Sequence, residues 1–117
     1  MNIVMILKII AALATVATGV LALIKPTAVY GFTGLTADGV RGISEIRSIF
    51  GGLFIALGIA PFVFGATAYQ VLGFGYLLIA AARLVSIFID KSYASSNLIS
   101  LGIEIVFGII LILRTKT

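Results

Sequence analysis

Four apolar runs, each close to the length a helix needs to cross hydrocarbon, divide this chain of 117 residues. They extend from about Ile3 to Ile24, Glu45 to Gly65, Ala68 to Ile89 and Tyr93 to Leu113. About 20 residues rising 1.5 Å each match a hydrocarbon core of roughly 30 Å. Polar or helix-breaking residues close the runs: Lys25-Pro26, Asp90-Lys91, and Arg114 with Lys116. None of the runs alternates apolar with polar residues, as a barrel strand would. Only 10% of the residues are charged and 62% are hydrophobic, whereas a soluble domain carries about a quarter charged. The expected fold is therefore all-α: an integral membrane, antiparallel four-helix bundle, with residues 1–117 as a single transmembrane domain.

The net charge of +4 rests on eight basic and four acidic side chains. No Lys/Arg run tracks phosphates, so nucleic acid is not an expected partner. The basic excess reads instead as residues flanking membrane spans. With no Cys and no His, disulfides, thiol chemistry, Cys/His metal sites and His-ligated haem are excluded. No cofactor is expected. Ala12-Leu13-Ala14 resembles a signal-cleavage site, but Lys8 interrupts the run before it and apolar sequence continues to Ile24. The first run is read as a retained span.

The connections are unequal. Gly65-Ala66-Thr67 and Asp90-Lys91-Ser92 force tight helical hairpins. The stretch from Lys25 to Ser44 is longer and glycine-rich, too polar to span, and is read as an interfacial loop with Tyr30 and Phe32 at headgroup depth. Four spans place both termini on one side of a cell membrane, with Lys8, Arg114 and Lys116. Lys25, Arg41, Arg47 and Lys91 fall on the other. The two counts nearly balance, and the termini are assigned to the cytoplasm.

Helical spacing gathers the polar residues into stripes. Tyr76, Arg83 and Asp90 share one face of the third span. Asn97, Ser100, Glu104 and Gly108 share one face of the fourth. In the first, Lys8, Thr15 and Gly19 align. In the second, Glu45, Gly52 and Ala56 form one face, expected to point inward, and Arg47, Gly51, Phe54 and Gly58 the opposite one. Helices associate in lipid through small residues and interhelical hydrogen bonds, so these stripes are expected inside and the large aliphatics outside. Gly73-Phe74-Gly75 lacks the later glycine and the lysine of a phosphate loop and is read as helix packing. Pro61 is expected to kink or end the second span.

Threading the spans brings Glu45, Arg47, Arg83, Asp90 and Glu104 toward one membrane face, with Tyr76, Asn97 and Ser100 beside them. Arg83 falls roughly 9 Å inside that face. A charge in hydrocarbon costs several kcal/mol, so it takes a partner or a task. Two readings share the cluster. In one it is a structural clasp, Arg83 pairing with Glu104 or Glu45 and Arg47 holding another carboxylate. In the other it lines a polar intramembrane pocket that binds or passes a small amphipathic or polar molecule, or forms a proton-linked site, and one carboxylate, Glu104, is then expected to lack a full-time partner. An accessory subunit of a larger membrane complex is the alternative function. Enzymatic chemistry would need Glu45 and Glu104 as an acid/base pair, and no nucleophile or metal motif accompanies them.

Glu45-Ile46-Arg47-Ser48-Ile49-Phe50-Gly51-Gly52-Leu53 resembles an E-x-R-x-x-[FY]-G-G-L motif opening the second span of a family of small bacterial four-helix membrane proteins. That family is a domain of unknown function, similar to the DoxX/DoxD-like group. The arginine and aspartate of its third span resemble Arg83 and Asp90, and the glutamate of its fourth resembles Glu104. The resemblance implies the same fold, site positions Glu45, Arg47, Arg83 and Glu104, and a lipid or quinone-like ligand. The thiol chemistry of some DoxX-like proteins does not carry over, because this chain has no cysteine. The expected partners are the lipid bilayer, such an amphipathic ligand, and a membrane protein or second copy of the chain.

Overall fold

The computed structural model describes residues 2–114; Lys116, assigned above to the terminal side, lies outside them. Among the described residues every regular element is a helix. The first, α1 (Ile3–Ile24), starts where Asn2 accepts a hydrogen bond from the Met5 backbone N–H at 2.8 Å, an N-cap that satisfies one otherwise orphan donor. It ends at Lys25-Pro26, where a 3-10 turn (Pro26–Val29) and the short α2 (Tyr30–Thr33) follow. Gly34 closes α2 in the left-handed conformation, φ 73°, which glycine adopts without steric cost.

From Gly39 to Phe64 the chain is one helical rod in three parts: α3 (Gly39–Glu45), a π-helical segment (Ile46–Leu53) and α4 (Phe54–Phe64). The stretch expected to be an interfacial loop is thus largely helical, and the second membrane-capable helix begins six residues before the expected Glu45. Pro61 lies inside α4, and the helix runs three residues past it before ending. Gly65 breaks the rod at φ 85°, ψ −152°, a backbone state essentially reserved for glycine. Helix α5 (Ala66–Asp90) resumes at once, so this hinge is one residue rather than three. Lys91, φ 53°, ends α5, and α6 runs from Ser95 to Ile112. Ile3–Ile24, Gly39–Phe64, Ala66–Asp90 and Ser95–Ile112 are each long and apolar enough to cross a membrane.

Helix α1 packs on the π segment and α4, and α5 packs on α6; α4 against α5 and α1 against α6 join the two pairs. Glycines set both pairings. A Cβ on Gly58 would stand 2.8 Å from the Ala12 carbonyl oxygen, and one on Gly19 2.9 Å from that of Gly51. One on Gly73 would stand 3.0 Å from the Gly108 carbonyl. The helix backbones therefore touch, which only glycine allows. The buried stripe of α1 (Lys8, Ala11, Ala12, Thr15, Gly19, Ala22) contains the Lys8–Thr15–Gly19 alignment read from spacing. In the second span the assignment is reversed. Gly52 faces open space and Ala56 is exposed, while Gly51 and Gly58 are buried. Gly51 and Gly58 are the residues that let this helix close on α1, so their face turns inward. Large aliphatic and aromatic side chains such as Ile24, Phe64, Phe88 and Ile89 cover the outside.

Candidate functional site

Arg83, midway along the second half of α5, meets Glu104 in the middle of α6 through two parallel hydrogen bonds. Its Nε donates to Oε1 at 2.7 Å and its Nη2 to Oε2 at 2.6 Å. This fork-to-fork geometry fixes both side chains and is among the stronger ion-pair arrangements. The third nitrogen, Nη1, donates to Asn97 Oδ1 at 2.7 Å. Asn97 in turn donates through Nδ2 to the carbonyl and the hydroxyl of Ser92, both at 3.1 Å. Ser92 sits in the α5–α6 turn, so the chain of bonds ties the ion pair to the hairpin. Exposure is 30% for the Arg83 side chain and 11% for Glu104, so the carboxylate depends on its partner more than the guanidinium does.

Tyr76 lies seven residues before Arg83 but does not bond to it. Its hydroxyl is 2.5 Å from Thr15 Oγ1. Thr15 donates its single hydroxyl hydrogen to the Ala11 carbonyl at 2.8 Å. Tyr76 must therefore be the donor to Thr15, leaving the phenolic oxygen as an acceptor. The Tyr76 ring packs edge-on against Phe107, centroids 5.5 Å apart at 89°, a favoured aromatic geometry.

Arg83, Glu104, Tyr76 and Phe107 line a cleft of about 490 Å³, within the size range of small-molecule sites. Every long helix contributes: Ala14 and Thr18 from α1, Phe50 and Phe54 from the second rod, Tyr76, Ile79 and Arg83 from α5, and Ser100, Ile103, Glu104 and Phe107 from α6. Phe32 and Thr33 of α2 complete the wall. The walls are mainly apolar, and the two charges among them cancel. Ser100 lines the cleft, and no hydrogen bond involves its hydroxyl among the described residues.

The five-charge cluster thus reduces to one pair with polar neighbours. Arg83, Glu104 and Asn97 come together, and Tyr76 and Ser100 share their cleft; Glu104, expected to lack a full-time partner if the cluster binds a ligand, instead has both oxygens held by Arg83. Glu45 does not join them. It accepts from Arg41 Nε at 3.2 Å, both side chains being exposed at 56% and 87%. The reason is α3, which places Arg41 one turn before Glu45 where a loop was expected. Arg47 holds no carboxylate: it donates to the Leu23 carbonyl in the last turn of α1. A helix C-terminus leaves carbonyls unsatisfied and carries partial negative charge, so a cation caps it well. Asp90 is exposed and accepts from Ser86 at 2.6 Å, within its own helix. No group of three or more His, Cys, Asp or Glu among the described residues could hold a metal.

Thr15 and the phenylalanines of the cleft were not foreseen as site residues. Thr15 was visible on the Lys8–Thr15–Gly19 stripe, but nothing in the spacing named its partner.

Fold and site together define an all-helical protein with four membrane-capable helices and an arginine–glutamate pair facing an apolar cleft. Residues 3–114 match the model of a family described as a domain of unknown function, DUF4345, and the chain belongs to that family. No curated protein and no solved structure matches the chain.

Proposed function

We propose that this chain is a multi-pass membrane protein, its four spans alternating in direction, whose cleft binds or passes a small amphipathic molecule. The observation that carries the reading is the cleft itself, walled by phenylalanines and floored by a neutralised ion pair. A clasp alone would explain the Arg83–Glu104 pair, but it would need no open volume beside it. Because the charges cancel, the fitting head group is neutral and hydrogen-bonding, a carbonyl or hydroxyl rather than an ion. Ser100 and the acceptor oxygen of Tyr76 are available to it, and the aromatic walls suit an apolar tail. A quinone-like or lipid-like molecule meets that description. The DoxX/DoxD-like likeness suggested by the motif belongs to the same proposal and rests on that motif alone.

Native mass spectrometry of the protein released from detergent tests the reading. Ser100→Phe would fill the cleft while leaving both members of the ion pair in the sequence. Ile99→Phe, at a position 62% exposed, controls for added bulk. A small amphipathic adduct present on the wild type and on Ile99→Phe, and lost from folded Ser100→Phe, is the expected result. An adduct pattern identical in all three proteins would rule the cleft out as its site.

A further inference from the structure

Lys8 poses a separate problem at the opposite end of the molecule. Its side chain is buried, 2% exposed, and its ammonium donates to the Leu113 carbonyl just past the end of α6. It also stands 5.7 Å from the centre of the Tyr69 ring, a cation–π contact. One carbonyl uses one of three ammonium donors and supplies no full negative charge. Arg114 lines the same cavity of about 280 Å³, with Thr67 and Gln70. Among the described residues no acidic side chain lines it. None is left to do so, because the sequence has only four. Glu104 is held by Arg83, Glu45 by Arg41 and Asp90 by Ser86. Asp38 lies beside Glu45 in the loop cavity near α3.

We infer that the Lys8–Arg114 cavity binds the head group of a net-anionic lipid, a singly charged phosphodiester with no cation of its own, with Thr67 and Gln70 as neutral donors. It rests on the membrane reading but not on the amphipathic cleft. Lys8 is five residues into α1, roughly 8 Å along the helix. The ammonium nevertheless reaches the Leu113 carbonyl, just past the end of α6, so membrane insertion would put the cavity near the boundary of headgroups and acyl chains, where lipid phosphates lie. Gln70 already donates to the Ile112 carbonyl at 3.3 Å through Nε2 and keeps a second amide hydrogen. Two cations without a carboxylate would attract an anionic head and repel a choline head.

The test uses the full-length protein in neutral detergent, titrated with phosphatidylglycerol and phosphatidylcholine of matched chains and read by native mass spectrometry. Phosphatidylglycerol is expected to bind about tenfold more tightly, in line with two basic groups near a membrane surface. The preference should fall in Arg114→Gln and Lys8→Gln, persist in Lys8→Arg, and be unaffected by Lys25→Gln at the other end. If Lys8→Gln does not fold, Arg114→Gln carries the test, since Arg114 is exposed. Competition by inorganic phosphate would show that a free anion suffices; failure to compete would show that the lipid's own phosphodiester is the ligand. Equal binding of the two lipids overturns the inference. So does a preference unchanged in folded Arg114→Gln, which would trace it to the general positive charge of the chain.

Discussion

Arg83 and Glu104 are the two residues whose removal should be felt most. Taking away one member of a buried pair leaves the other charged and unpartnered, at a cost of about 3 kcal/mol or more. Arg83→Met should therefore lower stability strongly, because Glu104 is mostly buried. The double change Arg83→Met with Glu104→Gln should recover part of the loss. A detergent melting series over the four proteins measures this coupling, and strictly additive losses would contradict it. Tyr76→Phe removes only the donation to Thr15 and should cost about 1 kcal/mol, the net value of an ordinary hydrogen bond. That Arg83 and Glu104 would meet was legible from depth and helical face. That Glu45 and Arg47 would not join them was hidden, for a local reason in each case. Both stand near helix ends, where an i−4 neighbour or a terminal carbonyl competes for a charged side chain, and one of those ends belongs to a helix that glycine-rich sequence disguises.

At the scale of elements, glycines decide which faces meet. Gly58→Leu should separate α1 from α4, since even a Cβ there would stand 2.8 Å from the Ala12 carbonyl oxygen. Gly52→Leu should be tolerated, because a side chain there points into open space. Equal melting temperatures for the two would contradict the inward assignment of the Gly51–Gly58 face. Gly65→Ala should cost about 1–3 kcal/mol, the usual strain of a side chain forced into a conformation outside its allowed regions, and thermal melting reads it directly. The number of long apolar helices and their approximate limits followed from run length. The face of the second span did not, for two candidate stripes both carried small residues, and spacing alone cannot say which one finds a matching glycine on its neighbour. The π segment was invisible for a related reason, since a periodicity of 3.6 was assumed along the whole rod.

For the molecule as a whole, the distribution of charge and bulk makes one statement. Small and polar residues line the closest contacts between helices, beside buried apolar side chains such as Leu72, Ile87 and Leu111, large aliphatics also cover the outside, and the acidic side chains stand away from the end that holds Lys8 and Arg114. This inverts the arrangement of a water-soluble bundle and suits a hydrocarbon solvent. The central proposal is that the chain crosses a bilayer four times, which would give the ion pair its depth and set the cleft in apolar surroundings. Single cysteines introduced at positions 2, 36 and 116 of this cysteine-free chain test it most directly. A membrane-impermeant thiol reagent applied to sealed vesicles should label positions 2 and 116 from one side and position 36 from the other. Labelling of 2 and 116 from opposite sides, or of all three from the same side, would contradict the account.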